Sequence, residues 1–461
     1  MTQPYPYQLR GVRKIEWFNG RALLADEMGL GKTLQTLLWI QNHPEVRPII
    51  VVCNASLKYQ WEREAKMHIG MRAEVIEGTT VPQQRLITPH QLIIINYEIL
   101  NWRGRKKKKD KDGWLYFLKK LKPKLIVIDE CQAIKTRQAQ RTKNVRKLCR
   151  GVPHVIALSG TPLTNRPAEL WPTLNILRPK LYPSFIPYAF EYCNPKLQYG
   201  RWVYNGAENL DKLHIELKEN VMIRRLKKHV LKELPPKTRI VIPMPIDNPK
   251  EYQRALHDFL GWLKTKSKLL EKKARKAMQL SKVSYLLRLA GQLKLNNAIA
   301  WIDDFLEESD GKILLFVVHR KIVAQLREHY PNHVHVDGSV TGRDRQHAVD
   351  KFQNDKRIRV FIGNIDAAGK GLNLTAASTV AFLELTWTPG QHTQAEDRVH
   401  RIKQKEATTA YYLVGRETIE EKLCKIIQDK QHVLDAVLDG KPQDAGGNVF
   451  DLLMKELRKE N

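Results

Sequence analysis

Two short stretches of this sequence carry residue types that suit phosphate chemistry. The first, ADEMGLGKT at residues 25–33, follows the apolar run RALL and opens an apolar helical pattern, TLQTLLWI. Glycines let backbone N–H groups approach phosphate oxygens, and a helix N-terminus attracts anions. The pattern is typical of a P-loop, in which Lys32 reaches the β- and γ-phosphates of ATP and the Thr33 hydroxyl binds Mg²⁺. Gly29 and Gly31 stand where the loop needs them, and Asp26 holds the place of the first glycine of the generic pattern.

The second stretch places two adjacent acids, Asp129 and Glu130, directly after the apolar run LIVI. A solvated strand end is the ordinary explanation for paired acids. A P-loop upstream favours another one, a Walker B pair. Asp129 would then hold the Mg²⁺ that accompanies ATP, and Glu130 would orient and deprotonate the attacking water.

The composition indicates a polyanionic partner. The chain has 461 residues, with 78 Lys and Arg against 49 Asp and Glu, and 42% of its residues are hydrophobic. That is enough apolar content for two or three ordinary folded domains. An excess of cations this large favours nucleic acid as the partner, although a basic but otherwise ordinary protein fits the same numbers.

Several classes of protein are disfavoured. The five cysteines form no CxxC pair and have no histidines at zinc-ligand spacing, which argues against a disulfide framework and a structural zinc site. No uncharged apolar run is long enough to cross a bilayer, and no apolar signal region follows Met1. We therefore expect a soluble intracellular protein without membrane contact, in the cytoplasm or nucleoid of a prokaryote or virus, or in the nucleus of a eukaryote.

Short apolar runs of strand length alternate with helical patterns, which predicts an α/β fold with parallel sheets. The runs form two series, and the segment between them shows no strand-like run, so we expect two α/β lobes. The first series is at 49–53, 92–95, 125–128 and 155–158, and the second at 313–318, 359–362, 379–384 and 410–414.

The predicted domains are a first lobe at 1–230, a connector with a basic helical insertion at 231–295, a second lobe at 296–440, and a tail helix at 441–461. The insertion has a dense basic face between Lys264 and Lys282, for which solvation and nucleic-acid contact are both open. The basic run at 103–112 is expected to be a flexible loop; nuclear targeting and phosphate contact are the alternatives.

Taken in order, the motifs resemble those of helicase superfamily two, and in particular its Swi/Snf branch of DNA-translocating ATPases. The resemblance covers nearly the whole chain and implies two RecA-like lobes in tandem. Phrases such as ELTWTPGQHTQAEDRVHRI look most like the distant subgroup that remodels forks and reanneals strands. The motifs are DEMGLGKT, DECQ, SGTPLTNRPAELW, RRLKKHVLKELPPK, VDGSVTGRDRQHAVDKFQ, AAGKGLNLTAAS and QAEDRVHRIKQ.

The resemblance also implies roles for individual residues. Gln8 would read the adenine edge, and Arg398 and Arg401 would act as arginine fingers on the γ-phosphate. Further ATP contacts are expected from Gly371 and Gln394, and coupling of the ATP state to lobe movement from Gln132, Ser159, Gly160 and Thr161. Candidate DNA-phosphate contacts are Lys58, Arg320, Lys321 and Lys370.

Three positions depart from the family pattern. Gln132 replaces the His of the Asp-Glu-x-His motif, and it keeps hydrogen bonding without the ability to become charged. Asn54 stands in place of a Pro, and Lys403 in place of a Gly. None of these changes removes a catalytic group.

The expected function is an ATP-dependent translocase on duplex or branched DNA, with ATP and Mg²⁺ as cofactors. The chain is expected to act as a monomer, with room for a protein partner that the sequence does not identify. Fork remodelling, strand annealing and protein displacement are the activities considered. A strand-separating helicase and an ATP-gated DNA clamp with slow hydrolysis remain as alternatives, and the sequence shows no separating wedge that would favour the helicase.

Overall fold

The computed structural model describes residues 3–81, 92–100, 113–163, 166–198, 200–263, 283–340, 342–369, 372–402 and 404–438. The described chain forms two compact units: the first contains the residues up to Glu233 together with 432–438, and the second contains the residues from Leu234 to Gln431. The expected tail helix, the 103–112 run and the basic face at 264–282 lie outside the described residues.

A seven-stranded parallel sheet forms the centre of the first unit, with the strand order β3-β4-β2-β5-β6-β1-β9. The strands are β1 (Arg21–Leu24), β2 (Ile49–Cys53), β3 (Ala73–Val75), β4 (Leu92–Asn96), β5 (Leu125–Asp129), β6 (His154–Leu158) and β9 (Met222–Ile223).

Helices cover both faces of this sheet, which explains why its strands are apolar throughout. Alternate residues of β2, Ile50 and Val52 on one face and Ile49 and Val51 on the other, enter two separate buried clusters. The helices are α1 (Pro6–Trp17), α2 (Lys32–Asn42), α3 (Lys58–Ile69), α4 (Tyr97–Leu100), α5 (Trp114–Lys120), α6 (Gln140–Cys149), α7 (Trp171–Leu177), α8 (Phe185–Tyr192), α9 (Leu210–Asn220) and α10 (Lys227–Val230).

A small antiparallel hairpin also belongs to the first unit. Its strands are β7 (Lys196–Gln198) and β8 (Arg201–Val203). Leu197 is 62% exposed and Trp202 is 48% exposed, and the Trp202 ring lies 5.1 Å from that of Phe190. The hairpin therefore presents apolar side chains to solvent.

The second unit contains a six-stranded parallel sheet with the order β10-β15-β14-β11-β13-β12. Its strands are β10 (Lys237–Met244), β11 (Ile313–Val317), β12 (His333–Val336), β13 (Val360–Asn364), β14 (Thr379–Phe382) and β15 (Thr408–Gly415). Its helices are α11 (Pro249–Leu263), α12 (Leu295–Glu308), α13 (Arg320–His329), α14 (Gly342–Asn354), α15 (Ile365–Ala368), α16 (Pro389–Glu396) and α17 (Ile419–Leu438). Two buried clusters again lie on opposite faces of the sheet.

The expectation of a strand-free segment between the lobes is wrong. Residues 237–244 form β10, which pairs in parallel with β15 along eight residues and is the edge strand of the second sheet. Its sequence KTRIVIPM is largely polar or partly exposed, because only one neighbour covers it. An apolar-run criterion finds buried central strands and misses an edge strand of this kind. The two-lobe parallel architecture itself is confirmed.

Buried charge ties β10 to the segment that carries Arg398. The fully buried Glu396 carboxylate accepts hydrogen bonds from Arg239 at 2.7 Å and from the Tyr412 hydroxyl at 2.8 Å, and pairs with Lys237 at 2.8 Å. Burial alone would raise the pKa of Glu396, but Lys237 and Arg239 lower it to about 2. Because three partners surround the carboxylate, this network fixes α16 against the sheet edge.

Replacing that carboxylate, in Glu396→Gln, should lower the free energy of unfolding by about 3 kcal/mol at pH 7, since Arg239 loses its counter-charge and Lys237 keeps only Asp397 as a partner. Because the pKa of Glu396 is lowered in the folded protein, its charge adds stability above about pH 4.5, and this stability is lost as the pH falls towards 2. The difference in the free energy of unfolding between the unmodified protein and Glu396→Gln should therefore shrink over that range. Urea titrations followed by circular dichroism at several pH values measure it. A difference that stays constant down to pH 3 would contradict this assignment.

Candidate nucleotide site

The sequence-predicted residues of the first unit lie at one edge of its sheet. Strands β5, β6 and β1 are neighbours and run in parallel, so their carboxyl ends lie side by side. Asp129 ends β5, Ser159 follows β6, and residues 25–31 connect β1 to α2. Open α/β sheets bind ligands outside this edge.

The connecting loop has the backbone of a phosphate cradle. Gly29 and Gly31 have φ angles of 81° and 72°, in the left-handed region that favours glycine. Gly31 immediately precedes α2, and a Cβ at this position would lie 2.4 Å from Nε2 of Gln8. The Lys32 amine donates to the carbonyl of Asp26 at 2.7 Å and to that of Glu27 at 3.3 Å. The Lys32 side chain therefore reaches from the first turn of α2 back to the start of the loop.

Gln8 lies against this loop, as its predicted role requires. The side chain is 2% exposed, its Nε2 donates to the Leu30 carbonyl at 3.2 Å, and its Oε1 accepts from the Tyr5 N–H at 2.9 Å. Adenine reading by Gln8 stays a prediction.

Asp26 has a structural contact that the sequence did not indicate. Its fully buried carboxylate accepts from Arg225 Nε at 2.9 Å and from Gln35 Nε2 at 3.0 Å. Arg225 in turn donates to Gln35 Oε1 at 2.5 Å. Asp26 thus ties the P-loop to the segment that follows β9, and its carboxylate is engaged by protein groups. A direct ATP contact for Asp26 is not supported by this arrangement.

Asp129 accepts hydrogen bonds from two side chains in the segments that follow β2 and β4. Its Oδ2 accepts from the Trp61 indole N–H at 2.8 Å, and its backbone carbonyl accepts from the Tyr97 hydroxyl at 2.7 Å. Burial and the neighbouring Glu130 carboxylate raise the pKa of Asp129 to about 7. A cation at this carboxylate would favour its charged form, which suits a Mg²⁺ ligand.

Glu130 has φ and ψ angles of 51° and 55°, a left-handed conformation that costs a non-glycine residue energy. The Gln132 side chain donates to Glu130 Oε2 at 2.6 Å. The Ser159 hydroxyl donates to Gln132 Oε1 at 2.7 Å, and the Thr161 N–H donates to the Ser159 oxygen at 3.0 Å. A continuous chain of hydrogen bonds therefore links the Walker B acid to the loop after β6. We call it the Glu130–Thr161 chain.

Gly160 completes this contact because it has no side chain. A Cβ at Gly160 would lie 2.3 Å from Cγ of Met28, in the P-loop. The four predicted coupling residues are therefore brought together, between the P-loop and Glu130.

The residues present fit Mg²⁺ and ATP. The loop offers backbone N–H groups and the Lys32 amine to phosphates. Thr33 and Asp129 would supply two oxygen ligands, the number that Mg²⁺ commonly takes from protein when phosphates supply others. The pKa of Lys32 is lowered by burial, against the attraction of Glu130, Asp26 and Asp129, so an added anion would restore favourable charge around the amine.

In the second unit, the predicted arginine fingers are close together. Arg398 is 7% exposed and donates to the carbonyls of Gln394 at 2.8 Å and Leu372 at 3.3 Å. Arg401 donates to the same Leu372 carbonyl at 3.2 Å. Gln394 is 4% exposed. Lys370, Gly371 and Lys403 lie outside the described residues, and contact of this group with ATP stays a prediction.

One predicted DNA contact needs correction. Lys58 is 7% exposed, and its amine donates to the Ile76 carbonyl at 2.8 Å, so it is a buried packing residue here and does not face solvent. Its sequence position, at the start of a helix of mixed charge, gave no sign of this burial. Arg320 and Lys321, by contrast, are exposed at the start of α13.

Sequence reasoning missed Trp61, Tyr97 and Arg225, which hold the two acids Asp129 and Asp26 in place. Trp61 and Tyr97 lie just after β2 and β4, whose carboxyl ends meet the same edge as β5. A search for polar-tipped aromatic residues after each strand would have found both.

The fold and this site define a P-loop nucleotide-binding protein with two parallel α/β lobes. The SNF2-related domain family matches residues 7–298, and the helicase conserved C-terminal domain matches residues 295–403. The chain belongs to the SNF2-related family.

Relatives within the family are similar along most of this chain. It is 32% identical over 441 residues to the SWI/SNF-related matrix-associated actin-dependent regulator of chromatin subfamily A-like protein 1 of Xenopus tropicalis, covering 93% of this chain and 44% of that protein. It is 32% identical over 454 residues to the DNA annealing helicase and endonuclease ZRANB3 of Homo sapiens, covering 95% and 40%. The chain thus spans less than half the length of either relative.

A solved structure of the SWI2/SNF2 ATPase core of Sulfolobus solfataricus in complex with dsDNA has a TM-score of 0.44 and 25% identity, covering 99% of this chain and 97% of that chain. No helix in the described parts of the chain is long and apolar enough to cross a membrane.

Gly31→Ala should weaken binding of Mg²⁺ and ATP about tenfold or more, because the added methyl meets the left-handed backbone and Gln8 together. Gly70→Ala is the matched control, since Gly70 has a φ of 65° and open space around its Cβ position. Calorimetric titration with ATP in Mg²⁺ measures both. Equal losses in the two variants would mean that backbone strain alone is responsible.

Proposed function

We propose that this protein is an ATP-dependent translocase that moves on duplex or branched DNA and remodels forks, anneals strands or displaces bound proteins. The observation that carries the proposal is the Glu130–Thr161 chain beside the P-loop. It joins the group that would activate water to a loop whose position can change with the nucleotide.

The residues of the first unit divide the work of hydrolysis. Bound Mg²⁺ neutralises charge on the phosphates, and Thr33 and Asp129 would hold it. Lys32 binds the phosphate end of ATP and attracts its negative charge. Glu130 orients a water and accepts its proton, and Gln132 holds the Glu130 carboxylate in position by a hydrogen bond of 2.6 Å.

Coupling would follow from the same hydrogen bonds. A change in the position of Glu130 when the γ-phosphate leaves alters the Gln132 side chain, and Gln132 carries the change to Ser159 and Thr161. Nucleotide binding and DNA binding would then both depend on one conformational equilibrium. Arg398 and Arg401 would complete the charge stabilisation of hydrolysis.

The net charge of the chain and its family both support DNA as the polymer along which the protein moves. The formal net charge of +29 favours a phosphate backbone, and such binding is independent of sequence and sensitive to salt. The human relative is named as a DNA annealing helicase and endonuclease, and strand annealing is the finer function that this similarity supports.

Strand separation is a second candidate, and the β7–β8 hairpin favours it. Leu197 and Trp202 are apolar and exposed, and Lys196 and Arg201 are exposed beside them. An exposed aromatic ring among cations can stack on an unpaired base. In a strand-separating enzyme this hairpin would serve as the wedge, a feature that the sequence did not reveal.

Steady-state ATPase activity should rise on addition of duplex DNA, and rise more with branched DNA, at fixed salt. Glu130→Gln should lower the stimulated rate about 10²–10⁴-fold while ATP still binds, because it removes the proton acceptor and keeps the shape. The assay compares duplex, branched and single-stranded DNA and RNA.

Stimulation by single strands or RNA alone would contradict the duplex translocase. Tight ATP-dependent DNA binding without turnover would favour a clamp. Strand displacement on a forked duplex, measured in the same reactions and lost in Trp202→Ala with the ATPase rate kept, would move the assignment to the second candidate.

A further inference from the structure

A second cavity lies in the first unit, at the other edge of its sheet from the P-loop. Its volume is about 770 Å³, and it is bounded by α6, by the residues leading into β6, by the end of α7 and by Arg21, the first residue of β1. We call it the rear pocket. Strands of four or five residues, at ~3.3 Å each, place the two edges ~15 Å apart. The rear pocket is therefore separate from the nucleotide site.

The rear pocket is lined by cations and by no carboxylate. Within the described part of the chain, none of the lining cations forms an ion pair. Like charges gathered without a counter-charge favour the binding of an anion. The lining cations are Arg21, Lys143, Arg146, Lys147 and Arg150.

Two of these cations are fixed parts of the wall. Arg21 donates to the carbonyls of Leu177 at 2.9 Å and Val152 at 2.7 Å, and the Arg146 guanidinium lies 5.0 Å from the centre of the Trp171 ring. Burial lowers the pKa of both arginines, which is the sign of charge held away from water. The charge is therefore built into the wall and does not come from mobile side chains alone.

A helix dipole explains only part of this arrangement. Cations are favoured in the last turn of a helix, and Arg146 and Lys147 occupy that turn of α6. Arg21 comes from a strand, but it donates to the carbonyls of Ile176 and Leu177, the last two residues of α7, and so it lies at a second helix C-terminus. Lys143 lies one turn before the last turn of α6 and Arg150 lies beyond that helix, so these two exposed cations need another reason.

The spacing of the exposed cations fits an extended polyanion. Lys143, Lys147 and Arg150 are exposed and follow one another at four and three residues, so they share one face. Successive members are ~6 and ~4.5 Å apart along the axis, between one and two nucleotide steps in one strand of DNA, each of which rises ~3.4 Å. Exposed lysines contact phosphates as point charges and need no fixed geometry.

We propose that the rear pocket binds the phosphate backbone of a second nucleic-acid segment, the second arm of a branched DNA. This inference rests on the proposed function. A motor that contacts DNA at the rear pocket as well as along its track can hold two arms of a junction, whereas plain duplex needs only the track.

The test is a variant with Lys143→Gln, Lys147→Gln and Arg150→Gln, all at exposed positions. The matched control carries Arg13→Gln, Lys66→Gln and Lys218→Gln, which removes the same charge from exposed positions elsewhere in the first unit. Fluorescence polarisation measures binding to a labelled four-way junction and to a plain duplex of equal total length, over a range of salt. Steady-state ATPase activity is measured at saturating duplex.

The rear-pocket variant should lower the slope of log affinity against log salt on the junction by about 2–3, since each lost phosphate contact removes ~0.9. Its affinity for plain duplex and its duplex-stimulated ATPase rate should match those of the control variant. An unchanged junction slope would overturn the inference, and so would an equal fall in the control variant.

An acidic peptide is the competing ligand. Binding of a labelled poly-glutamate peptide that is lost only in the rear-pocket variant, with junction binding intact, would overturn the nucleic-acid assignment. Failure of the proposed function would give a different result: no DNA would then stimulate the ATPase activity of the unmodified protein.

Discussion

The arrangement of the nucleotide site depends on one hydrogen-bonded side chain, Gln132. It donates to the Glu130 carboxylate and accepts from the Ser159 hydroxyl, so a single amide spans the ends of two neighbouring strands. An amide can do both at once because it carries a donor and an acceptor, and it has no charge that changes with pH. The family pattern has a histidine here. Gln132 therefore keeps the hydrogen bonds to both neighbours, but unlike a histidine it does not change its charge with pH.

The parallel sheet makes this connection available. The strands β5, β6 and β1 adjoin one another although long stretches of sequence separate them, and their parallel direction puts Glu130, Ser159 and the P-loop at one edge. Trp61 and Tyr97 come from the connections after β2 and β4 and hold Asp129 from the other side. The strands are buried on both faces, and close packing favours a rigid edge, so a small change at Glu130 would pass to the next strand.

The sequence predicted the parts of the structure that depend on local pattern. Apolar runs located the central strands, and the P-loop and the Asp129–Glu130 pair located the site, because their chemistry is fixed by residue type and short spacing. It did not predict β10, whose exposed residues hide its pairing with β15. It did not predict that Lys58 is buried or that Asp26 pairs with Arg225, since both contacts join residues far apart in the chain. Each of these features depends on a tertiary contact that the local sequence does not show.

We infer that Gln132 and Ser159 act as one unit that couples hydrolysis to DNA. This can be measured as the DNA-stimulated ATPase activity of Gln132→Ala, Ser159→Ala and the double variant, with Gln60→Ala as a control on the surface of α3. Each single variant should lose about tenfold or more of the stimulation with ATP affinity kept, and the double variant should lose no more than either single one. Stimulation that survives in both single variants, or losses that multiply in the double variant, would contradict it.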